Sequence, residues 1–538
     1  MTKNVKSFKE EKMTTQETSE NKIIELNKEK KSQEKARKIN IKTVGTQFLY
    51  WLFVTMLVLY FRENVFETTD FIKNILLGVS LLIAVSIDII FIVLKKINLE
   101  THKIFIILAI VLGVFYFIVT PFGNGTDEVS HFFRVFKISQ KYTNVRLQED
   151  SLFPPAFSKL VDYKNNRYIE YENYIKEFEA FSMNSEERKD LIGEYWNIKL
   201  YSPIQYIPQA IGVTAGRIFS DNIVIIGMCG RFTGYLFWVA VCAYAIKIVP
   251  NKKMFFLILC LLPVNLFSAV CISGDTVTNA VCTLFIALIY KKLYLKEKVT
   301  KKEKIGLTIL ACLMALCKIV YLPFITLVFL LKYENFENKN EWKKFVIILL
   351  IASLIVGFGW LVIGSMSLVN SNSASADQVA YILEHPIKYV LIIMETITQK
   401  GAQYIYQLTT GDELMCHAKT TIYPIVSYII SIVLLLALLT NEDGKTVEVN
   451  SLRKFWVGLI MFGTSLLIVT AIYIQWTSLF EVGKDMILGI QGRYFIPVAA
   501  LAIFVINKTK LETNPKLLLN TVILMQLPVL YQIMNVFV

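Results

Sequence analysis

At the end of an apolar stretch, residues 119–138 read VTPFGNGTDEVSHFFRVFKI. Two carboxylates, Asp127 and Glu128, stand side by side where a helical pattern begins, and His131 follows one turn after Asp127. A carboxylate so placed can take a proton from a hydroxyl. The same pair, Asp127 and Glu128, is also a ligand set for a divalent cation, magnesium or manganese, with His131 one turn away. A plainer role competes. Thr126 or Asp127 can cap the helix, and acids in its first turn favour the helix dipole by about 0.3–1 kcal/mol. Val129, Phe132, Phe133 and Phe136 recur at helical spacing, with Ser130, Arg134, Lys137 and Lys141 on the opposite stripe. That pattern predicts an amphipathic helix lying in a membrane interface.

Three further features carry charge into apolar surroundings. Lys318 lies inside the apolar stretch 305–331. A cation at the centre of a span costs roughly 2.5–3.5 kcal/mol on insertion scales, so a partner or a ligand is expected there. Asp275 ends the tripeptide Ser-Gly-Asp at 273–275, and Arg493 opens a late span in the stretch QGRYFIP. Singly, these read as a snorkelling lysine, a helix cap and an interface anchor. Together they suit one chemistry. A carboxylate deprotonates an acceptor hydroxyl, and cations hold the phosphate of a lipid-linked donor as it leaves.

The elements that must position these residues are membrane helices. The chain has 538 residues, 54% of them hydrophobic and only 18% charged, with a mean hydropathy of +0.50. Repeated apolar segments reach the roughly 20 residues a bilayer requires, and only helices or closed barrels satisfy the backbone in lipid. An all-α polytopic membrane protein follows. The net charge of +13 sits in short loops and the first 45 residues, which is the positive-inside pattern and not a nucleic-acid surface. Seven of the eight cysteines, among them Cys242 and Cys282, lie in apolar segments without a CxxC pair, as small filler.

Residues 1–45 read as a charged cytosolic tail, and the first apolar stretch, near 46, is expected to stay as an anchor. Alternating from there gives about 13 spans: two in 46–100, the rest in 101–538, with external loops at 121–220 and 368–417. The segment 121–200 holds 11 Lys/Arg against 13 Asp/Glu and lacks the inside signature. Residues 203–219 are too short to span and read as an interfacial or re-entrant helix, and 305–331 as two half-spans turning near Lys318. In this topology Asp127, Asp275, Lys318 and Arg493 all fall on the external side.

The stretches PFGNGTDEVSHFFRVFKISQ, YSPIQYIP, LPVNLFSAVCISGDTVTNA, CKIVYLPF and IQWTSLFEVGKDMILGIQGRYFIP together resemble a bacterial family of predicted membrane proteins of unknown function, over roughly residues 105–510. That family is in turn similar to the GT-C glycosyltransferases, multi-span enzymes that take a sugar from a polyprenyl-phosphate-type carrier. The resemblance implies a GT-C-like fold in the bacterial cytoplasmic membrane, with the site facing outside. It implies Asp127 as catalytic base, with Glu128 as its catalytic neighbour or a metal ligand. It further implies Lys318 and Arg493 as donor-phosphate residues, and His131, Arg134, Asp275, Tyr321 and Gln491 as substrate-binding candidates. The partners it implies are a lipid-linked sugar donor, an envelope glycan or glycolipid acceptor and membrane lipid, with no nucleic acid. A divalent metal is compatible with this set and not required by it. The chain departs from many GT-C enzymes in having two spans before the span that leads into the acidic loop, and in lacking a large external domain. A transporter or flippase for lipid-linked glycan is the alternative from another class, and a structural scaffold a third. Neither needs a base at Asp127.

Overall fold

A computed structural model describes residues 44–63, 68–97, 99–140, 152–165, 170–183, 189–190, 201–366, 373–411, 424–440, 449–506 and 511–538. The charged tail 1–43 and the loop parts 141–151, 191–200 and 412–423 lie outside them. The chain divides into two units, 1–66 and 67–538. The described part of the first is one apolar helix, α1 (Val44–Glu63).

The second unit is built from helices. α2 (Asp70–Lys96) and α3 (Thr101–Val119) lead into the acidic motif, which opens α4 (Glu128–Ser139). The chain after α4 adds α5 (Pro155–Asn165) and α6 (Tyr171–Lys176), with a two-stranded antiparallel ladder of β1 (Leu152–Phe153) and β2 (Lys189–Asp190) in the register Leu152↔Asp190. Next come α7 (Ile207–Phe219), α8 (Ile223–Ile248), α9 (Lys253–Cys260), α10 (Pro263–Val270), α11 (Asp275–Leu295) and α12 (Lys301–Cys317). A 3-10 helix runs from Ile319 to Leu330. α13 (Lys339–Met366), α14 (Ser373–Glu384), α15 (Pro386–Thr409), α16 (Pro424–Leu439) and α17 (Ser451–Gln475) follow. A second 3-10 turn (Gly492–Phe495), the short α18 (Ile496–Ala500) and α19 (Ala502–Val505), and α20 (Pro515–Val536) complete it.

Among the described residues eight helices are long and apolar enough to cross a membrane, or nine if α9 and α10, bent by 57° at their break, form one span. The sequence expectation of about thirteen counts shorter apolar stretches as well. Three apolar stretches fall short as helices: 319–330, 424–439 and 492–505. The break between α9 and α10 has a local cause. Pro263 is the first residue of α10, where its missing N–H costs nothing, but it cannot continue α9. The expected interruption at Lys318 is present: its backbone is extended (φ −150°, ψ 115°) between α12 and the 3-10 helix. Twelve residues of 3-10 winding is long for that geometry, whose hydrogen bonds are poorer than those of an α-helix. The long helices keep apolar faces outward. Ile351, Ile355 and Phe358 of α13 are each at least half exposed, which fits a lipid-facing surface and no aqueous one.

α4 departs from its expected interfacial setting, because every residue from Glu128 to Lys137 is buried. Its aromatic stripe packs under β1 and α5, with Phe132 stacked on Phe157 and Phe133 against Phe153. Its polar stripe turns to backbone carbonyls: the Arg134 guanidinium donates to that of Tyr201 (3.2 Å) and the Lys137 ammonium to that of Leu152 (3.0 Å). The β1–α5 part of the chain thus closes over a helix that composition alone places at a surface.

Candidate functional site

Four side chains from four separate parts of the chain meet in one charged row. Asp127 stands just before α4, Asp275 is the first residue of α11, Lys318 is the link between α12 and the 3-10 helix, and Arg493 lies in the Gly492–Phe495 turn. The Arg493 guanidinium reaches both carboxylates, Nη2 to Asp127 Oδ2 at 3.3 Å and Nε to Asp275 Oδ2 at 3.2 Å. The Lys318 ammonium pairs with Asp275 Oδ1. Charges therefore alternate along the row, Asp127, Arg493, Asp275, Lys318, and sum to zero. Asp275 is buried and holds both cations, whereas the Asp127 side chain is 36% exposed and makes the outer end. Asp127 is thus the carboxylate of the row that an incoming group can touch.

Each member is set by its local backbone. Asp127 has φ 57° and ψ 12°, left-handed values that few residues other than Gly adopt and that Asp tolerates better than most. A capping residue has extended backbone, from which its side chain reaches the N–H groups of the first turn. Asp127 does not, and its carboxylate makes no cap hydrogen bond. Capping therefore does not account for its position. At the other acidic turn the Ser273 hydroxyl accepts the Asp275 N–H (3.1 Å), and the Gln209 amide donates to the Ser273 carbonyl (2.8 Å). Arg493 is placed by Gly492, whose N–H donates to the Gln407 side chain (2.9 Å) and whose Cα lies on the backbone of α15. A Cβ there would sit 2.3 Å from the Leu408 nitrogen. Gly492→Ala is accordingly expected to cost on the order of 1–3 kcal/mol and to displace Arg493, measurable as a lower melting temperature in detergent. Tyr321 and Gln491 brace the same turn: the Tyr321 hydroxyl donates to the Tyr494 carbonyl (2.8 Å), and the Gln491 carbonyl accepts the Tyr494 N–H (3.1 Å).

Glu128 is adjacent to Asp127 in sequence and remote from it in role. Its carboxylate is fully buried against an equally buried Arg231 from α8, with Arg231 Nε at 2.6 Å. It also accepts the N–H groups of Gly123 (3.0 Å), Gly125 (3.1 Å) and Ile272 (2.8 Å). Arg231 in turn donates to the carbonyls of Thr120 (2.8 Å) and Pro121 (3.2 Å). One ion pair thus ties the loop carrying Asp127 to the turn carrying Asp275. Gly125 permits that approach, since a Cβ would stand 2.6 Å from the Cys271 sulfur. Arg134, a candidate ligand by sequence, is likewise turned to the Tyr201 carbonyl, outside the row. Among the described residues no three carboxylate, imidazole or thiol groups converge as a metal site, and Glu128 is held by Arg231 and backbone donors.

His131 sits between the two regions. Its Nδ1 shares a 2.6 Å hydrogen bond with the Tyr206 hydroxyl, and its ring lies beside Tyr201. Burial pushes its pKa down to about 4 despite the nearby Asp127 and Asp275 carboxylates. Between that value and the usual 6.5 the unfolded chain binds a proton that the folded chain does not. Stability from this group is therefore complete above about pH 6.5 and falls as pH is lowered towards 4. Thermal unfolding across that range should lose this slope in His131→Asn.

Sequence reasoning missed Arg231, Tyr206 and Tyr494. Arg231 carried a usable signal, as the lone charge within residues 223–246 and hence as costly as Lys318. Beside the row, Lys318 and Tyr494 line a cavity of about 180 Å³ with Tyr201 and Gln475, the Lys318 ammonium lying 4.5 Å from the Tyr494 ring centre. Ala315, Trp360, Leu361, Ile468 and Ala471, from α12, α13 and α17, give that cavity an apolar wall.

Fold and site together define an all-α, multi-pass membrane protein with a buried ionic row that ends in one accessible carboxylate. Residues 110–502 match the family model described as a predicted membrane protein, DUF2142, and the chain belongs to that family. No curated protein and no solved structure gives a significant match.

Proposed function

We propose that this protein is a GT-C-type glycosyltransferase that moves a sugar from a polyprenyl-phosphate-type lipid to an acceptor hydroxyl on the outer face of the bacterial cytoplasmic membrane. The observation that carries the reading is a partly exposed carboxylate, Asp127, paired with Arg493 at the end of a row whose second cation, Lys318, lines a cavity with polar groups and an apolar wall. Asp127 takes the proton of the acceptor hydroxyl. The freed oxygen bonds to the sugar's anomeric carbon, the bond from that carbon to the phosphate oxygen breaks, and its electron pair leaves with the phosphate. Arg493 and Lys318 stabilise that developing charge, held in place by Asp275. The lipid chain lies along the apolar wall. No step in this scheme calls on a metal, and Glu128 contributes by holding the loop. The excess of Lys and Arg in the loops at 291–304 and 339–344 supports an orientation with those loops in the cytosol.

A transporter of lipid-linked glycan would use the same cavity and cations but would need no proton acceptor. Comparison of envelope glycans from cells carrying the wild-type chain and Asp127→Asn separates the two. The transferase reading expects one sugar substituent to disappear in the variant with the carrier glycans otherwise unchanged. An unaltered glycan profile contradicts it.

A further inference from the structure

α17 separates two cavities. Ile468, Ala471, Ile472 and Gln475 line the one that holds Lys318, and Phe462, Ser465, Leu466 and Val469 line a second of about 390 Å³ against α15. Each set follows helical i, i+3, i+4, i+7 spacing, and at 3.6 residues per turn the two stripes lie roughly 120° apart. Both cavities reach the turn that carries Arg493: Tyr494 lines the first, and Phe495 with Ile490 lines the second. Adjacent residues of one turn therefore face different cavities, and Arg493, one residue earlier, holds Asp127.

The second cavity is a hydrocarbon site by its chemistry. Two of its hydroxyls are taken up by backbone groups. Thr396 donates to the Ile392 carbonyl (2.7 Å) and accepts the Ile487 N–H (3.0 Å), and Ser465 donates to the Met461 carbonyl (2.8 Å). Inside a bilayer, burying a tail gains nothing over surrounding lipid, so retention comes from shape and from the head group. From this arrangement we infer that the acceptor is itself a lipid: a hydroxyl-bearing molecule whose hydrocarbon chain occupies the groove between α15 and α17 and whose head group crosses the Gly492–Phe495 turn to Asp127. Donor and acceptor lipids then approach along two different faces of α17 and meet at the ionic row. This rests on the transferase reading and adds the acceptor class to it.

The test uses the full chain in lipid nanodiscs and a diacylglycerol with a photoreactive diazirine at the end of one acyl chain. Cross-links should be saturable and map to the peptides around Gly401 and Ser465. Excess unlabelled diacylglycerol should compete, and polyprenyl phosphate should not. A Cβ at Gly401 meets only Ile397, at 3.7 Å, so Gly401→Trp can fill the groove without a backbone clash. It should lower groove cross-linking at least tenfold while leaving the melting temperature and polyprenyl-phosphate binding as in wild type. Cross-links spread evenly over lipid-facing helices such as α13, or unchanged in Gly401→Trp, overturn the proposal. A parallel sugar-transfer assay keeps the two readings apart. Label in a chloroform-soluble product that Gly401→Trp abolishes supports both. Label in a water-soluble glycan overturns the lipid acceptor and leaves the transferase. Specific groove cross-links without any sugar transfer overturn the transferase, and the acceptor role with it.

Discussion

Asp127→Asn is expected to lower sugar transfer by about 10²–10⁴-fold, the usual contribution of a positioned general base, while leaving the folded protein intact. The asymmetry follows from where the carboxylate sits. Its side chain is 36% exposed and is the outer end of the row, so its removal leaves each remaining charge with an opposite partner. Arg493 keeps its pairing with Asp275, and Asp275 keeps Lys318. Asn also tolerates the left-handed backbone at this position at least as well as Asp does, so the loop conformation survives. Initial rates and melting temperature of the purified variant measure both halves of the expectation. A variant that loses rate and stability together would place Asp127 among the structural residues instead.

Arg231→Met is expected to have the opposite profile, a loss of folded protein of about 3–5 kcal/mol, because it leaves the Glu128 carboxylate buried without its counter-charge. Glu128 would keep only the backbone donors of Gly123, Gly125 and Ile272. The double variant Glu128→Gln/Arg231→Met removes both charges, and well-packed neutral replacements of a buried pair are often close to neutral in stability. It should recover most of the lost melting temperature. If the double variant is no more stable than Arg231→Met, the destabilisation comes from lost packing and not from the unpaired carboxylate. Measured with Asp127→Asn, the pair assigns adjacent acids to different work: Asp127 to the site, Glu128 to the frame around it.

That division was not legible in the sequence, where Asp127 and Glu128 stand side by side and both suit a catalytic or metal role. What separates them is the left-handed backbone at Asp127, which sends one carboxylate to Arg493 at a separation of 366 residues and leaves the other facing α8. No local pattern encodes such distant partners. The grouping of Asp127, Asp275, Lys318 and Arg493 was legible, because each charge stands at the edge or middle of an apolar stretch where it needs a partner. The break at Lys318 and the long spans α2, α3, α8 and α13 were also legible, from the length of their apolar runs. The count of thirteen spans was not. Hydropathy sees apolar runs at 319–330 and 492–505, but it does not see that one winds as a 3-10 helix and the other divides at Leu501. Burial of α4 escaped for a related reason. Its amphipathic stripe is real, yet Arg134 and Lys137 face the backbone carbonyls of Tyr201 and Leu152 instead of water.

The central claim is that this membrane protein transfers sugar with Asp127 as base, and reconstitution tests it most directly. The purified full chain in proteoliposomes is given a panel of radiolabelled polyprenyl-phosphate sugars together with envelope lipid and glycan acceptors, and the label joined to acceptor and the polyprenyl phosphate released are both measured. The account predicts that one donor yields the two products in equal amounts with the wild-type chain, and that Asp127→Asn yields them at no more than about one hundredth of that rate. Equal transfer by Asp127→Asn, or movement of intact donor across the bilayer with no product, would contradict it.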